Sequence, residues 1–571
     1  MYTHTLGSLA MSLLLNGKTL LASPVPETSH VDARLAKRVQ LSPEYPLHTV
    51  PLPIPPIKQP KFTVQNPVTG QDIQYYEIEI KAFQQQVYPD LGPADLVGYD
   101  GMSPGPTIVV PRGTETVVRF INNAELPNSV HLHGSYSRAA FDGWAEDTTQ
   151  PGEYKDYYYP NSQSARMLWY HDHAVHITSQ NAYFGQAGVY IIHDAAEDAL
   201  NLPSGDYDIP LVLATKQYNA DGSLFTTVGE LNSLFGDVNH VNGQPWPFLN
   251  VEPRKYRFRL LDASVSRSYG LYFVDTEDTA TSIPFQVIAS DSGLLEHPAE
   301  VTQMYISMAE RYEIVFDFSD FAGKTVDLKN VVGQVGGIGT DTDYDNIDKV
   351  MRFVVAEETS APDTSVVPAD LRDVPFPSPT TDTPTQFRFS RTNGIWTING
   401  VAFANVEARL LANVPLGTVQ RWELINVGNG WTHPIHVHLV DFRIISRVSG
   451  NNARTVEPYE SGLKDVVWLG RRETVIVEAH FNPFPGVYMI HCHNLIHEDH
   501  DMMAAFNATV LPDYGYNASV FVDPMEELWR PRPYLLSEFE SQDGPFTVQA
   551  ITERIQEVAS YSPYAAADDE E

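Results

Sequence analysis

A turn-and-strand signature recurs three times along this chain of 571 residues. Residues 110–114 read VPRGT and residues 414–418 read VPLGT, and each opens a run of alternating apolar residues. A weaker copy lies at 252–260, and an Asp-Gly or Asn-Gly turn precedes every copy. Copies about 150 residues apart indicate three similar β-domains and argue against a short-period solenoid.

The remaining pattern favours the same fold class. Many short apolar runs end at turn residues, the chain holds 42 prolines, and helical periodicity is scarce. These features predict an all-β protein of three Greek-key β-sandwich or barrel domains. One segment, 548–558, has helical spacing, and we expect it to dock on a domain.

The repeats and shifts in composition set the predicted boundaries. The predicted segments are a signal peptide and propeptide at 1–38, a first domain at 39–200, a second domain at 201–356, a Pro-rich linker at 357–386, a third domain at 387–525 and a C-terminal extension at 526–571. The apolar stretch at 6–21 is too short and too broken to span a bilayer, and it resembles a secretory signal. A dibasic pair, Lys37 and Arg38, closes the leader in the manner of a propeptide.

The charge balance limits the classes of partner. The chain carries 72 acidic against 37 basic residues, a formal net charge of -35. Such a surface repels nucleic acid and anionic membranes, and it is typical of a soluble extracellular protein. The sequons at Asn507 and Asn517 fit glycosylation of a secreted chain. We therefore expect a secreted monomer that binds neither nucleic acid nor membrane.

The single cysteine, Cys492, needs an explanation. Secreted proteins normally use cysteines in disulfides, and one cysteine cannot form an intramolecular disulfide. A lone thiol in an oxidising compartment is either buried and inert or bound by a ligand.

Histidines surround this cysteine and recur elsewhere in short groups. The groups are His131 and His133; His171 and His173; His433, His436 and His438; and His491, His493 and His497. One H-x-H pair alone indicates histidines on the solvent face of a strand. Four groups, confined to the first and third repeats, favour metal coordination because residues i and i+2 of a strand point the same way. The middle repeat lacks such a group, which predicts a metal-free middle domain.

The type of metal follows from the last group. Cys492, His497 and Met502 are spaced five residues apart, and His433 can supply a second imidazole. Two histidines, one cysteine and a weak axial methionine form the ligand set of blue copper, whereas zinc prefers a closed tetrahedral set. Met503 follows directly, so the choice of axial methionine stays open. His491 and His493 flank the cysteine and would bind other metals.

Four motifs together resemble the copper-binding motifs of multicopper oxidases. They read HLHG at 131–134, HDH at 171–173, HPIHVH at 433–438 and HCHNLIHEDHDM at 491–502. The stretches at 134–144 and 497–506, and most of the chain from about 41 to 568, resemble the fungal bilirubin-oxidising branch of that family. The resemblance implies three cupredoxin domains and four copper ions.

The resemblance also implies a role for each ligand and for the protein. Type 1 copper would be held by His433, Cys492, His497 and Met502; type 2 copper by His131 and His436; and the type 3 pair by His133, His171, His173, His438, His491 and His493. The expected activity couples oxidation of a small-molecule reductant, such as bilirubin or a phenol, to reduction of O2. Alternatives are a laccase acting mainly on phenols or a metal oxidase, which the scarcity of methionine (11 residues) disfavours. A third alternative is a copper carrier without catalysis. A carrier would need only the four blue-copper ligands, so the eight remaining histidines argue against it.

Three further residues are candidates for catalysis. Asp142 follows the first motif and matches the acid of the family, so we expect a proton donor, although it could be only a turn residue. Glu498 is a second candidate acid or a solvated charge, and Trp431 is either a substrate-side aromatic or a packing residue. We expect electrons to enter through an exposed imidazole edge of His433 or His497. Basic residues such as Arg391 or Arg447 could attract an anionic reductant. Asp172 is expected to face away from the metals.

Overall fold

The structure is a computed structural model that describes residues 41–332, 344–511 and 522–561. The predicted signal peptide and propeptide and the sequon at Asn517 lie outside these residues. The described strands form six sheets, which pack in pairs as three sandwiches.

The first sandwich is built from nine strands and carries two of the histidine groups. Its strands are β1 (Phe62–Gln65), β2 (Asp72–Gln85), β3 (Ala94–Tyr99), β4 (Gly105–Pro111), β5 (Glu115–Asn122), β6 (Val130–His133), β7 (Glu153–Tyr159), β8 (Arg166–Asp172) and β9 (Ala187–His193). One sheet has the order β1-β2-β5-β7 with β3 beside β2, and the other has the order β4-β9-β8-β6. Apolar and aromatic side chains of both sheets share one core.

The second sandwich has its own core, in which Phe273 and Phe316 pack with ring centroids 4.3 Å apart. Its strands are β10 (Asp208–Lys216), β11 (Val238–Val241), β12 (Gln244–Pro245), β13 (Phe248–Val251), β14 (Lys255–Asp262), β15 (Tyr269–Asp275), β16 (Asp278–Ile283), β17 (Phe285–Ser290), β18 (Gly293–Val301), β19 (Met304–Ile306), β20 (Arg311–Asp317), β21 (Thr325–Asn330) and β22 (Lys349–Val355). The sheet orders are β12-β11-β10-β14-β20-β17-β18 and β13-β22-β21-β15-β16, with β19 beside β15.

The third sandwich follows a stretch, 356–384, that forms neither helix nor strand. Its strands are β23 (Thr385–Thr392), β24 (Ile395–Ile398), β25 (Leu410–Pro415), β26 (Thr418–Asn426), β27 (His433–Val437), β28 (Phe442–Ser449), β29 (Asn452–Arg454), β30 (Val466–Leu469), β31 (Glu473–Phe481), β32 (Gly486–Cys492) and β33 (Met503–Thr509). The sheet orders are β24-β23-β26-β31-β28-β29 and β25-β33-β32-β27-β30. The apolar core of this sandwich is continuous with that of the first.

The three signatures found in the sequence become three equivalent strands, β5, β14 and β26. Each pairs in parallel with an early strand of its sandwich, which is β2, β10 or β23. Each also pairs antiparallel with a later strand, which is β7, β20 or β31. The prediction of an all-β fold with three related domains is confirmed, whereas the individual domain boundaries stay predictions.

Helices are short and lie between or outside the sheets. The α-helices are α1 (Thr178–Phe184), α2 (Ala195–Asp198), α3 (Leu495–Asp499), α4 (Leu536–Ser541) and α5 (Val548–Ser560). Single turns of 3-10 helix lie at Ala139–Phe141, Gly205–Tyr207, Ser319–Phe321, Pro458–Glu460, Glu527–Trp529 and Gly544–Phe546. Asp499, at the end of α3, accepts hydrogen bonds from the amides of Thr178 and Ser179 at 2.8 Å each, which caps α1 across the boundary between the third and first sandwiches. Among the described helices, none combines the length and the apolar character that crossing a membrane requires.

The C-terminal extension returns to the first sandwich. A short strand, β34 (Arg532–Pro533), pairs antiparallel with β7. The apolar face of α5, with Ile551, Ile555 and Val558, is buried in the shared core of the first and third sandwiches. The predicted helix at 548–558 is therefore confirmed, and it docks as expected.

Truncation of Ile555 tests this docking. Ile555→Ala should lower the local stability of α5 by about 2–5 kcal/mol, because it removes buried methyl groups and leaves a cavity. Faster hydrogen exchange of the α5 amides would measure the loss. The neighbouring exposed Gln556→Ala is the matched control, and equal exchange in the two variants would contradict the docking.

Candidate metal centre

Eight histidines meet between the first and third sandwiches, and each is at most 1% exposed. They are His131 and His133 on β6, His171 and His173 at the end of β8, His436 and His438 at the end of β27, and His491 and His493 at the end of β32. Antiparallel pairing places His131 opposite His171 and His436 opposite His491. The structure thus brings together the histidine groups of the first and third repeats.

The ring nitrogens point at one another. The Nε2 atom of His491 lies 3.1 Å from Nε2 of both His173 and His438, and Nε2 of His131 lies 3.4 Å from Nε2 of His436. Three triplets have ligand atoms within 4.8 Å of one another: His131, His133 and His171; His131, His436 and His438; and His173, His438 and His491. Such convergence of nitrogen lone pairs in a buried space suits a bound cation.

In several of these rings, the nitrogen that faces away from the other histidines is held by a hydrogen bond. This bond orients the second nitrogen of the ring toward the centre of the site. The Nδ1 of His131 donates to the carbonyl of Asp142, and the Nδ1 of His438 donates to the Asp142 carboxylate at 2.7 Å. The Nδ1 of His171 donates to the carbonyl of Asp172 at 2.7 Å. Each bond places the proton on Nδ1 and leaves Nε2 as the free ligand atom.

His133 has the opposite orientation. Its Nε2 faces the Asp465 carboxylate at 3.1 Å, and its Nδ1 is buried without a hydrogen-bond partner. The Asp465 carbonyl accepts a hydrogen bond from Nδ1 of His436 at 2.8 Å. Asp465 thus orients one histidine from the first sandwich and one from the third.

Burial keeps the imidazoles neutral, which is the form that binds a metal. Desolvation lowers the pKa of His173 to about 4 and lowers the pKa of His491 to about 3. Desolvation and neighbouring histidines lower the pKa of His131, His171 and His493 well below the ordinary value.

A second site lies inside the third sandwich, around Cys492. The Cys492 Sγ atom lies 3.4 Å from Nδ1 of His433 and 3.6 Å from Nδ1 of His497, and these two nitrogens are 3.2 Å apart. Burial raises the pKa of the Cys492 thiol, so a thiolate here needs a compensating cation. The backbone amide of Asn494 donates to Sγ at 3.4 Å.

The packing distinguishes the two candidate methionines. Met502 and Cys492 belong to the same buried cluster, and the Cys492 amide donates to the Met502 carbonyl at 3.0 Å. Met503 belongs to a separate cluster with Trp144 and Phe403. Met502 is therefore the methionine on the side of the thiol.

Two tryptophans cover the Cys492 site. Trp396 stacks on the His497 ring with centroids 3.8 Å apart, and Trp431 meets the same ring edge-on at 5.4 Å. His433 and His497 are only 2% and 0% exposed, so the expectation of an exposed imidazole edge is wrong. Trp431 is partly exposed, whereas the histidine that it contacts is buried.

The two candidate acids both lie at the eight-histidine site. Glu498 Oε2 lies 3.0 Å from Nδ1 of His491, and Glu498 Oε1 lies 3.5 Å from Nδ1 of His173. Burial raises the pKa of Glu498 to about 7 and raises the pKa of Asp142 above the ordinary range. At 3% exposure each, neither residue is a solvated charge or only a turn residue.

Asp172 plays the hydrogen-bonding role expected from the sequence. Its carboxylate accepts hydrogen bonds from the amides of Ser129 and Ala174 at 3.0 Å each. These bonds fix the chain between the β6 and β8 histidines.

Sequence reasoning missed Asp465, Trp396 and Asn494. Asp465 and Trp396 stand far from the histidine motifs in sequence, and no spacing rule connects them. Asn494 lies inside the HCHN motif, and its preference for helix N-caps was an available signal: its side chain accepts a hydrogen bond from the Ile496 amide and starts α3.

Known proteins share this architecture. Residues 81–197 and 373–510 each match the multicopper oxidase family. The bilirubin oxidase of Albifimbria verrucaria is 76% identical over 572 residues, covering 100% of both chains. The chain belongs to the multicopper oxidase family.

Other multicopper oxidases are more distant in sequence and similar in fold. A laccase of Bacillus subtilis is 34% identical, with 80% of this chain and 98% of the laccase covered. The crystal structure of the McoA multicopper oxidase from Aquifex aeolicus superposes with a TM-score of 0.71 at 27% identity, covering 81% of this chain and 100% of that one. Membership in this family makes the protein a copper-dependent oxidase that uses O2.

Proposed function

We propose that this multicopper oxidase holds four copper ions and couples one-electron oxidation of bilirubin to the four-electron reduction of O2 to water. The observation that carries the proposal is the tripeptide His491-Cys492-His493, which joins the two buried ligand sets. Type 1 copper would be held by His433, Cys492, His497 and Met502, type 2 copper by His131 and His436, and the type 3 pair by His133, His171, His173, His438, His491 and His493. When bound, copper supplies the redox chemistry.

The strand geometry supports a short path for electrons. Side chains alternate along β32, so Cys492 faces the third sandwich core while His491 and His493 face the first sandwich. One peptide unit on each side then separates the thiol-bearing residue from the other ligand set. All three side chains are buried, so this path lies away from the protein surface.

Asp142 and Glu498 are the proposed proton donors for O2 reduction. Both carboxyl groups contact histidines of the eight-histidine site from its rim, Asp142 at His438 and Glu498 at His491 and His173. Reduction of O2 to two waters consumes four protons, and buried carboxyls beside the ligands can hand them on.

The surface beside Trp431 supports an anionic organic reductant. The guanidinium carbon of Arg391 lies 4.9 Å from the ring centroid of Trp396, and Arg391 is exposed. Arg447 is buried and paired with Glu460 and Glu473, so it is not available to a ligand. An exposed cation beside the tryptophans offsets the acidic surface for a carboxylate-bearing molecule such as bilirubin.

We propose further that the protein is a secreted monomer. The leader pattern at 1–38 and the net charge of -35 support secretion. Asn507 lies in β33 and is 7% exposed, so its amide is poorly placed for a glycan.

Removal of the thiol tests the blue-copper assignment. Cys492→Ser should abolish the intense blue absorption that arises from charge transfer between thiolate and copper. The copper-loaded wild-type protein, measured at equal concentration, is the reference. Persistence of the band in the variant would refute the assignment.

Substrate choice is tested by turnover of bilirubin, a neutral phenol and Fe(II), followed as O2 uptake. Bilirubin should give the highest kcat/KM, and equal or higher efficiency on the phenol would remove bilirubin as the preferred reductant. Arg391→Gln should raise KM for bilirubin up to about tenfold, the value of one charge-assisted contact, and leave the phenol unchanged.

The matched control is Arg388→Gln. Arg388 is exposed and lies on the same strand, β23, and its replacement changes the net charge by the same amount. Equal effects of both variants would indicate only long-range attraction and contradict a contact at Arg391.

The role of Glu498 is tested by separating the two half-reactions. Glu498→Gln should lower kcat about 100-fold, because proton transfer to the O2 site loses its donor. The anaerobic rate at which the reductant bleaches the blue band should not change. The exposed Glu407→Gln serves as the control, and a slowed bleaching in Glu498→Gln would place the residue in electron entry instead.

A further inference from the structure

Arg311, on β20 of the second sandwich, contacts all three sandwiches although it is not a candidate ligand. Its Nη1 and Nη2 atoms donate to the two carboxylate oxygens of Asp465 in the third sandwich, at 2.6 and 2.5 Å. Its Nε donates to the carbonyl of Met167 in the first sandwich, at 3.2 Å. The remaining two N–H groups donate to the carbonyls of Ala309 and Asp291 within the second sandwich, at 3.0 and 3.2 Å. All five donors of the buried guanidinium are therefore used.

Both contacts outside the second sandwich lead directly to candidate copper ligands. The Asp465 carboxylate faces Nε2 of His133, and its carbonyl holds Nδ1 of His436. Met167 lies on β8, the strand that carries His171. Arg311 thus acts on histidines from the first and the third sandwich at the same time.

Asp291 of the second sandwich strengthens this junction. Its Oδ2 accepts hydrogen bonds from the amides of Asp465 and Val466 at 3.2 Å each, and its Oδ1 accepts from the Arg311 amide at 2.7 Å. The Lys464 ammonium lies 2.9 Å from the same carboxylate. The backbone around Asp465 is thereby tied to the second sandwich independently of its side chain.

The glycine of the HLHG motif is explained by the same junction. Gly134 has φ +87°, and a Cβ atom there would lie 2.7 Å from Nη2 of Arg311 and 2.8 Å from Oδ2 of Asp465. Only glycine lets the chain after His133 pass this close to the ion pair.

We propose that Arg311 is a positioning residue that aligns the first- and third-sandwich halves of the eight-histidine site. Copper loading of that site then depends on a domain that contributes no ligand to it. This inference rests on the proposed function, because it takes the eight histidines to be copper ligands. A planar fork with five donors is required, and lysine, with three donors on a point charge, cannot replace it.

The test compares copper loading in full-length wild type, Arg311→Lys and Asp465→Asn. Each protein is stripped of copper and titrated with copper ions, while total copper per chain, the type 2 electron paramagnetic resonance signal and the blue band are measured. Loss of an outer partner typically weakens metal binding about 10–100-fold. Both variants should therefore lose the type 2 signal and most copper beyond one ion per chain, and they should keep the blue band.

Arg259→Lys is the matched control. Arg259 lies on β14 of the same sheet, is buried, and donates to both oxygens of Asp208 at 2.8 and 2.7 Å, without contact to a ligand histidine. This control should load copper like the wild type, even where its melting temperature falls as far as that of Arg311→Lys.

Three outcomes distinguish the inference from the proposed function. Wild-type loading in both Arg311→Lys and Asp465→Asn would refute the positioning role alone. Equal loss of copper in Arg259→Lys would also refute it, because general destabilisation would explain the loss. A wild-type protein that binds only one copper per chain would refute the proposed function itself. If Arg311→Lys does not fold, Asp465→Asn, which preserves side-chain size, decides the question.

Discussion

Convergence of histidine nitrogens and the Cys492 sulfur in a buried space is the constraint on which the rest of this structure depends. Ring nitrogens lie 3.1–3.4 Å apart at the eight-histidine site, and the thiol lies 3.4 Å from the nearest imidazole nitrogen. Buried polar atoms without partners are costly, so these groups are stable together only when a cation satisfies them or when the surrounding fold enforces their positions. The hydrogen bonds on the outer nitrogens provide that enforcement, and copper would supply the compensating charge.

The alternation of side chains on a strand makes the double site possible. Adjacent residues on β32 face opposite sides of the sheet. The end of this one strand therefore contributes side chains to both the Cys492 site and the eight-histidine site. The chain then turns at Asn494, whose side chain caps α3, and the helix returns His497 to the thiol. Asp499 at the end of α3 caps α1 of the first sandwich, which ties the position of His497 to that of the β8 histidines.

The second sandwich supports the eight-histidine site through contacts with its neighbours, although it contributes none of the eight histidines. Buried ions of this domain, Arg311 and Asp291, meet Lys464 and Asp465 of the third sandwich with every guanidinium donor satisfied. Buried ion pairs are stabilising only when their geometry and remaining hydrogen bonds are complete, and they favour one arrangement of the partners over others. These contacts thus hold the second sandwich against the third beside the eight-histidine site.

Much of the fold and of the ligand set was determined by the sequence alone. The period-2 alternation, the turn residues and the H-x-H groups are local patterns, so they predicted three related β-domains and the residues that meet at the metal centre, and helical spacing predicted the helix at 548–558. Tertiary structure alone decided that Asp465 faces His133, that Trp396 stacks on His497, that Met502 rather than Met503 shares the buried cluster of Cys492, and that His433 and His497 are buried. These contacts join residues far apart in the chain, or choose between neighbours in it, and they depend on how twisted sheets stack, which local periodicity does not encode.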